Sequence, residues 1–327
     1  MKGWLRISGV GLIVLAVSLG ISNRRFASEQ PIDLLAAMEA GRCESEVVDL
    51  HKMALKGDAL SQLAFGHAVH EDLCNAVDIG KNFSDYWYRK SAEQGNAEAQ
   101  AALGQSLIRS WNRKDEEEAF VWYRRSADQG NPHGQFGLAQ LYEGGAISKN
   151  IPKNEELALE LYNKSAAQGY VRSHIRLSSF YESGSGGVQK DDVKAAYWYR
   201  KAAENGQPYA QGKLAELYQE GRGVEKNVAE AKVWFGKAAA QNDMYAQESL
   251  AKILLESGGG SQDQKMAVEL FRKAAEAGNP KAQYELGKIY LIGLNGVPQD
   301  ESKAKCWFKR SADRWHPPAI KELEGLR

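Results

Sequence analysis

Cysteine is scarce in this chain: three among 327 residues, too few for a scaffold stapled by disulfides. Proline is sparse too, eight residues against 32 glycines, a balance that suggests long helices punctuated by glycine. There is no net charge, with 42 Lys and Arg against 42 Asp and Glu. A balanced surface cannot hold a polyanion by its field, and it lacks the acidic excess of a disordered tail. Nucleic-acid binding is therefore excluded as the expected role. No phosphate-binding loop, nucleophile elbow or HExxH motif occurs, and no enzyme is expected. The glycine runs Gly184-Ser185-Gly186-Gly187 and Gly258-Gly259-Gly260 follow no strand and sit in turns between helices. What is present describes a folded protein: 43% hydrophobic residues and eight tryptophans, in a length that allows two ordinary domains or one elongated array.

The N-terminus has its own pattern. Lys2 and Arg6 precede an apolar run from Ile7 to Ile21. About 15 apolar residues make a secretory signal; a full membrane span needs about 20. Gly20-Ile21-Ser22 supplies small residues for cleavage, while Arg24 and Arg25, with Gly3, Trp4 and Leu5 extending the run, leave an uncleaved anchor open. Cleavage after residue 22 leaves 40 basic against 42 acidic residues. Residues 1–28 are thus expected to be a signal peptide or membrane anchor. The expected destination is the periplasm or cell envelope of a bacterium, or the exterior.

Self-similarity decides the rest. The block Trp87-Tyr88-Arg89-Lys90-Ser91-Ala92-Glu93-Gln94-Gly95 recurs with starts at Trp122, Leu161, Trp198, Trp234, Leu270 and Trp307, at intervals of 35, 39, 37, 36, 36 and 37 residues. A second block, Ala99-Gln100-Ala101-Ala102-Leu103-Gly104, has relatives at Ala210, Ala246 and Ala282. Each repeat reads as two helices. Ala210, Leu214, Leu217 and Tyr218 make one apolar stripe at helical spacing; Ala231, Trp234, Phe235, Ala238 and Ala239 make the other. Glycine or asparagine, tolerant of the left-handed conformation, closes each helix. Gly104, Ala139, Ala215, Ala251 and Gly287 let one helix backbone approach its neighbour, and Ala203, Ala239 and Ala275 receive the Trp or aromatic ring from across the pair. One repeat cannot cover its apolar faces alone, so repeats must stack.

The segments Tyr209–Val224 with Ala231–Asn242, and Lys281–Val297 with Lys303–Ala312, resemble the Sel-one-like repeat family, relatives of the tetratricopeptide repeat. The resemblance implies an all-α, right-handed α/α solenoid of helix-turn-helix repeats, about seven units plus terminal caps, that holds other proteins or ligands. Residues 29–57 are read as a degenerate N-terminal capping repeat, 58–315 as the array and 316–327 as a C-terminal capping helix.

Cys43 and Cys74 fall in turns of adjacent units and are expected to form a disulfide in an oxidising compartment. Cys306, beside Trp307, is read as a small core residue. His67, His70 and Cys74 occur at i, i+3 and i+7, but the helix ends early and the disulfide competes for the thiol; no metal or other cofactor is expected. The aligned positions make His67 a counterpart of Gln105 and Glu216, facing solvent. The recurrent glutamine (Gln62, Gln100, Gln135, Gln211, Gln247, Gln283) is read as structural, since buried amides need partners.

Binding is sought instead where repeats differ on the exposed stripe of the first helix: Glu98, Ala101, Gln105 and Ile108, then His133, Phe136 and Gln140, and their equivalents. Phe136, Tyr209, Tyr245 and Tyr284, with Ile175, are the candidate partner-binding residues, against the alternative of packing between repeats. The expected function is an exported, monomeric scaffold that grips a protein or peptide along a groove, touching membrane only if the N-terminal segment is uncleaved. Two alternatives stand beside it: a cell-wall-related or penicillin-recognising enzyme, as suggested for some exported relatives, and a membrane-anchored envelope assembly factor.

Overall fold

Asparagine and aspartate recur just before the helical stripes, and a computed structural model of the chain shows why. The side chains of Asn96, Asn154, Asn227, Asp191, Asn279 and Asp300 each accept the backbone N–H three residues on, at 2.9–3.0 Å. Each satisfies one of the donors that a helix start leaves unpaired. The opposite ends are closed by a residue in the left-handed region. Gly95 (φ 90°) and Gly278 (φ 97°) do this without a Cβ clash, while Asn242 (φ 65°) and Trp315 (φ 58°) hold the same place.

The structure describes residues 45–70, 81–109, 113–144, 151–256, 258, 260–294 and 296–326. The expected export segment and both Cys43 and Cys74 lie outside them. Sixteen helices and no strand occur among the described residues. The chain divides into two compact units, one through Ser173 and one from His174. The first holds α1 (Ser45–Leu55), α2 (Ala59–His70), α3 (Lys81–Glu93), α4 (Ala97–Ile108), α5 (Arg113–Asp128), α6 (Pro132–Gly144) and α7 (Glu155–Ala167). Helix α8 (Val171–Ser183) begins in it. The second continues with α9 (Asp192–Glu204), α10 (Pro208–Glu220), α11 (Val228–Ala240), α12 (Met244–Glu256), α13 (Ser261–Glu276), α14 (Pro280–Ile292), α15 (Glu301–Ala312) and α16 (Pro317–Gly325). From α1 through α7 and from α9 through α16 each helix packs on its sequence neighbours, as α4 does on α5 and α10 on α11. The chain is an all-α solenoid of tandem helical hairpins, as expected.

The deepest ring of each hairpin is the aromatic one residue after the repeat tryptophan, not the tryptophan itself. Tyr162, Tyr199, Phe235, Phe271 and Phe308 are at most 1% exposed. Such burial contributes about 1.5–3 kcal/mol for each large side chain. A small residue on the facing first helix makes room: a Cβ on Gly104 would stand 2.9 Å from the Tyr123 ring, and one on Gly287 would stand 2.6 Å from that of Phe308.

Polar side chains repeat with the fold and are consumed by it. Gln62, Gln100, Gln211, Gln247 and Gln283 are buried, and each donates through Nε2 to the carbonyl eight residues earlier, at 3.0–3.2 Å. Their oxygens accept in turn from a second glutamine: Gln94 to Gln62 (2.7 Å), Gln129 to Gln100 (2.8 Å) and Gln241 to Gln211 (2.9 Å). Gln168 donates likewise to Gln135 at 2.9 Å. The hydroxyls of Ser91, Ser126, Ser165 and Ser311 donate to the carbonyls of Ala59, Ala97, Pro132 and Pro280, at 2.6–2.7 Å. The buried amide nitrogens thus all find an acceptor, as a desolvated amide requires, while the oxygen of Gln283 is left without a donor.

Candidate functional site

The five residues expected to contact a partner differ in fate. Phe136 is 5% exposed, its ring centroid 5.5 Å from that of Tyr162 and 5.1 Å from that of Tyr170. It is a packing residue of the first unit and offers no surface, because Tyr170, which precedes α8, covers it. Ile175 is half-buried on α8. Tyr284 is half-buried too, against Phe308 at 5.7 Å and His316 at 5.2 Å, with the Lys288 ammonium 5.3 Å from its ring. Tyr209 and Tyr245 are 49% and 61% exposed, and these two come together on one cleft.

That cleft has a volume of about 240 Å³. Tyr209, Gly212, Lys213 and Glu216 of α10 form one wall; Asp243, Tyr245 and Ala246, at the start of α12, form the other. Phe235 of α11, 1% exposed, lies at its base. The walls are fixed by local bonds. Asp243 Oδ1 accepts the N–H groups of Ala246 (2.8 Å) and Tyr245 (3.1 Å), capping α12. Lys213 Nζ donates to Glu216 Oε2 at 2.8 Å. Burial works against the Lys213 charge, but the bond to Glu216 outweighs it and holds the ammonium above its ordinary range. The opening itself comes from Gly212. A Cβ built there meets nothing within 4 Å, whereas the same position in the next repeat carries Glu248, buried and paired to Lys252 at 2.7 Å. A larger hollow of about 590 Å³, lined by Gln219, Glu220, Lys226, Val228, Ile253 and Glu256, has no aromatic wall and mostly long polar side chains.

The first unit gathers titratable groups rather than a cleft. Glu98, from the stripe singled out in the sequence, pairs with His133 Nδ1 and accepts from Asn131 Nδ2 at 2.8 Å. Burial alone would raise its pKa; the hydrogen bonds of His133 and Asn131 reverse that and hold the carboxyl below its ordinary range. Ala101 of the same stripe is buried rather than exposed. His67 was expected to face solvent. Its imidazole is instead enclosed, with Nδ1 3.1 Å from the Tyr88 hydroxyl, and burial drives its pKa down to about 4. His70 Nε2 accepts from Arg109 at 2.8 Å, and Cys74 lies outside the described residues. Among the described residues no group of three or more His, Cys, Asp or Glu is arranged to hold a metal. Cys306 is exposed, not a core residue.

The repeat now has a counterpart among known families. The Sel1 repeat model matches seven times, at residues 86–96, 97–131, 132–170, 171–207, 208–243, 245–279 and 280–314. The chain belongs to the Sel1 repeat family. A Sel1 repeat protein from Oxalobacter formigenes shares 33% identity over 69% of this chain and 90% of its own, with a TM-score of 0.62. A protective antigen present in uropathogenic Escherichia coli strains, displaying an SLR fold, shares 28% identity over 86% of this chain and 67% of its own, with a TM-score of 0.55. No curated protein matches. The Sel1 repeat is a scaffold fold that typically serves protein–protein interaction.

Proposed function

We propose that this Sel1 repeat protein is an exported, non-catalytic scaffold that holds a peptide segment of a partner protein in the cleft between α10 and α12. One observation carries the reading: Tyr209 and Tyr245, exposed by 49% and 61%, flank a cleft with an apolar base. Rigid aromatic side chains at the rim of a partly dry depression give large contact area at small entropy cost, which is how binding hot spots are made. The repeat does not require them, since the bonds of Gln211 and Gln247 to the Ala203 and Ala239 carbonyls and the buried Phe235 ring hold these hairpins without either tyrosine. Zero net charge leaves little long-range steering, so recognition relies on local fit. Export rests on the N-terminal pattern, and the mass of the mature N-terminus distinguishes a cleaved signal from an anchor.

Peptides selected from a random display library on the purified protein test the reading. Their dissociation constants are then measured on the wild-type protein and on Tyr209→Ala/Tyr245→Ala. The expected result is at least a roughly 10-fold weakening, about 1.4 kcal/mol, with an unchanged helical spectrum. Equal affinity for both proteins, or loss of helix in the variant, counts against the cleft.

A further inference from the structure

The cleft also carries information about what it takes, and this step rests on the reading just given. We propose that its occupant is an arginine side chain presented by an extended peptide. Size comes first. Sites for whole small molecules span about 300–1,000 Å³, and 240 Å³ suits one long side chain better than a free ligand.

The aromatic faces come second. Tyr86 and Tyr197, 50% and 52% exposed, each have a lysine four residues on, with Nζ 5.7 Å from the ring centroid: Lys90 and Lys201. Lys288, Arg200 and Lys303 similarly sit over Tyr284, Tyr218 and Tyr290 at 5.3–5.5 Å. Of the four tyrosines that are most exposed, Tyr86 and Tyr197 thus have a ring face filled by a cation of the chain, and among the described residues Tyr209 and Tyr245 have none. Lys213, four residues after Tyr209, bonds Glu216 at 2.8 Å and does not lie over the ring; the place four residues after Tyr245 is Ser249. Two ring faces are left for a cation from outside.

Charge comes third. Glu216 and Asp243 against Lys213 give the cleft a net charge of −1. Asp243 caps α12 through Oδ1, which leaves Oδ2 to a donor. A guanidinium stacks on tyrosine and reaches a carboxylate through its planar fork, which an ammonium cannot do as well. Gly212 gives the side chain its way in. Glycines at Gly66, Gly104 and Gly287 leave room for rings of this chain, with a Cβ there falling within 3.0 Å of Tyr88, Tyr123 or Phe308; Gly212 leaves room that the chain does not use.

Labelled heptapeptide pools with a fixed central residue and equimolar mixtures elsewhere test this by fluorescence anisotropy on the full chain. The central residue is Arg, its neutral isostere citrulline, Leu or Glu. The Arg pool is expected to bind about 10-fold tighter than the citrulline pool. The gap should collapse in Asp243→Asn, which keeps a capping side chain while removing the charge, and in Tyr209→Ala/Tyr245→Ala; Gly212→Leu should abolish binding of the Arg pool. A Leu pool binding as tightly as the Arg pool, and weakened by the tyrosine variant, overturns the arginine assignment and leaves the cleft standing. Pools that bind the wild-type and tyrosine-variant proteins alike overturn both.

Discussion

Two mid-helix glycines of the second unit, Gly212 in α10 and Gly287 in α14, should respond oppositely to the same substitution. Glycine inside a helix costs about 0.5–1 kcal/mol relative to alanine, because more backbone freedom is lost on folding. Gly212→Ala collects that gain in full, since its Cβ meets nothing within 4 Å. At Gly287 the Cβ stands 2.6 Å from Cε1 and 2.7 Å from Cδ1 of Phe308, a ring with no exposure and no room to retreat. Overpacking of that kind costs about 1–3 kcal/mol, so the net effect is a loss of about 1–2 kcal/mol. At about 2–4 °C per kcal/mol for folded units of this size, Gly212→Ala should melt a few degrees higher and Gly287→Ala several degrees lower. Circular dichroism melts of the two variants decide the matter, and Gly287→Ala combined with Phe308→Leu should recover part of the loss. If Gly287→Ala stabilises as Gly212→Ala does, the Phe308 ring does not exclude a Cβ at Gly287, and this repeat accepts the alanine that Ala139, Ala215 and Ala251 supply elsewhere.

Other perturbations test the remaining parts. Gln211→Leu removes the bond to the Ala203 carbonyl (3.1 Å) and the acceptor for Gln241 (2.9 Å), and urea unfolding should register a loss of about 1–3 kcal/mol. His67, whose pKa falls from 6.5 to about 4, is held neutral by the fold, so its contribution is complete above pH 6.5 and drains away as pH falls toward 4. The unfolded chain takes the proton first in that window. Melts across it should show a loss of order 3 kcal/mol that His67→Gln reduces. Thiol labelling of the native, unreduced protein should modify exposed Cys306 alone if Cys43 and Cys74 are bonded, and all three cysteines if they are not.

The hairpins and their order were legible because each rests on local spacing repeated seven times. The misread residues sit one helical step from a secure one. Cys306 directly precedes Trp307, and one step around a helix is about 100°, enough to turn a side chain from the core to water. The same step separates each repeat tryptophan from the Tyr or Phe after it, which proves the deeper ring. Phe136 was missed for a different reason. Its column (Ala101, Phe136, Ile175, Gly212, Glu248, Tyr284) lies at the border between repeats, where burial depends on what the following repeat brings. Tyr170 brings a ring, and Phe136 disappears beneath it. The glutamine pairs Gln94–Gln62 and Gln129–Gln100 join residues 32 and 29 apart, beyond any local pattern. The Gln-Gly doublet that ends three of the seven second helices was their only trace.

Recurrence and function separate cleanly in such an array. A side chain kept in every repeat is kept for something every repeat needs. Here the amide nitrogens of Gln62, Gln100, Gln211, Gln247 and Gln283 and the N-capping oxygens are spent on backbone groups of the chain and are not offered to a ligand. Binding capacity must then lie where one repeat departs from the others and the departure is not repaid by packing. Gly212 meets that test: it gives up helix stability, and no side chain of the chain fills the space. The opening at Gly212 and the two uncovered tyrosine rings lie on one cleft, and the tyrosine and Gly212 variants proposed above decide whether that coincidence serves binding.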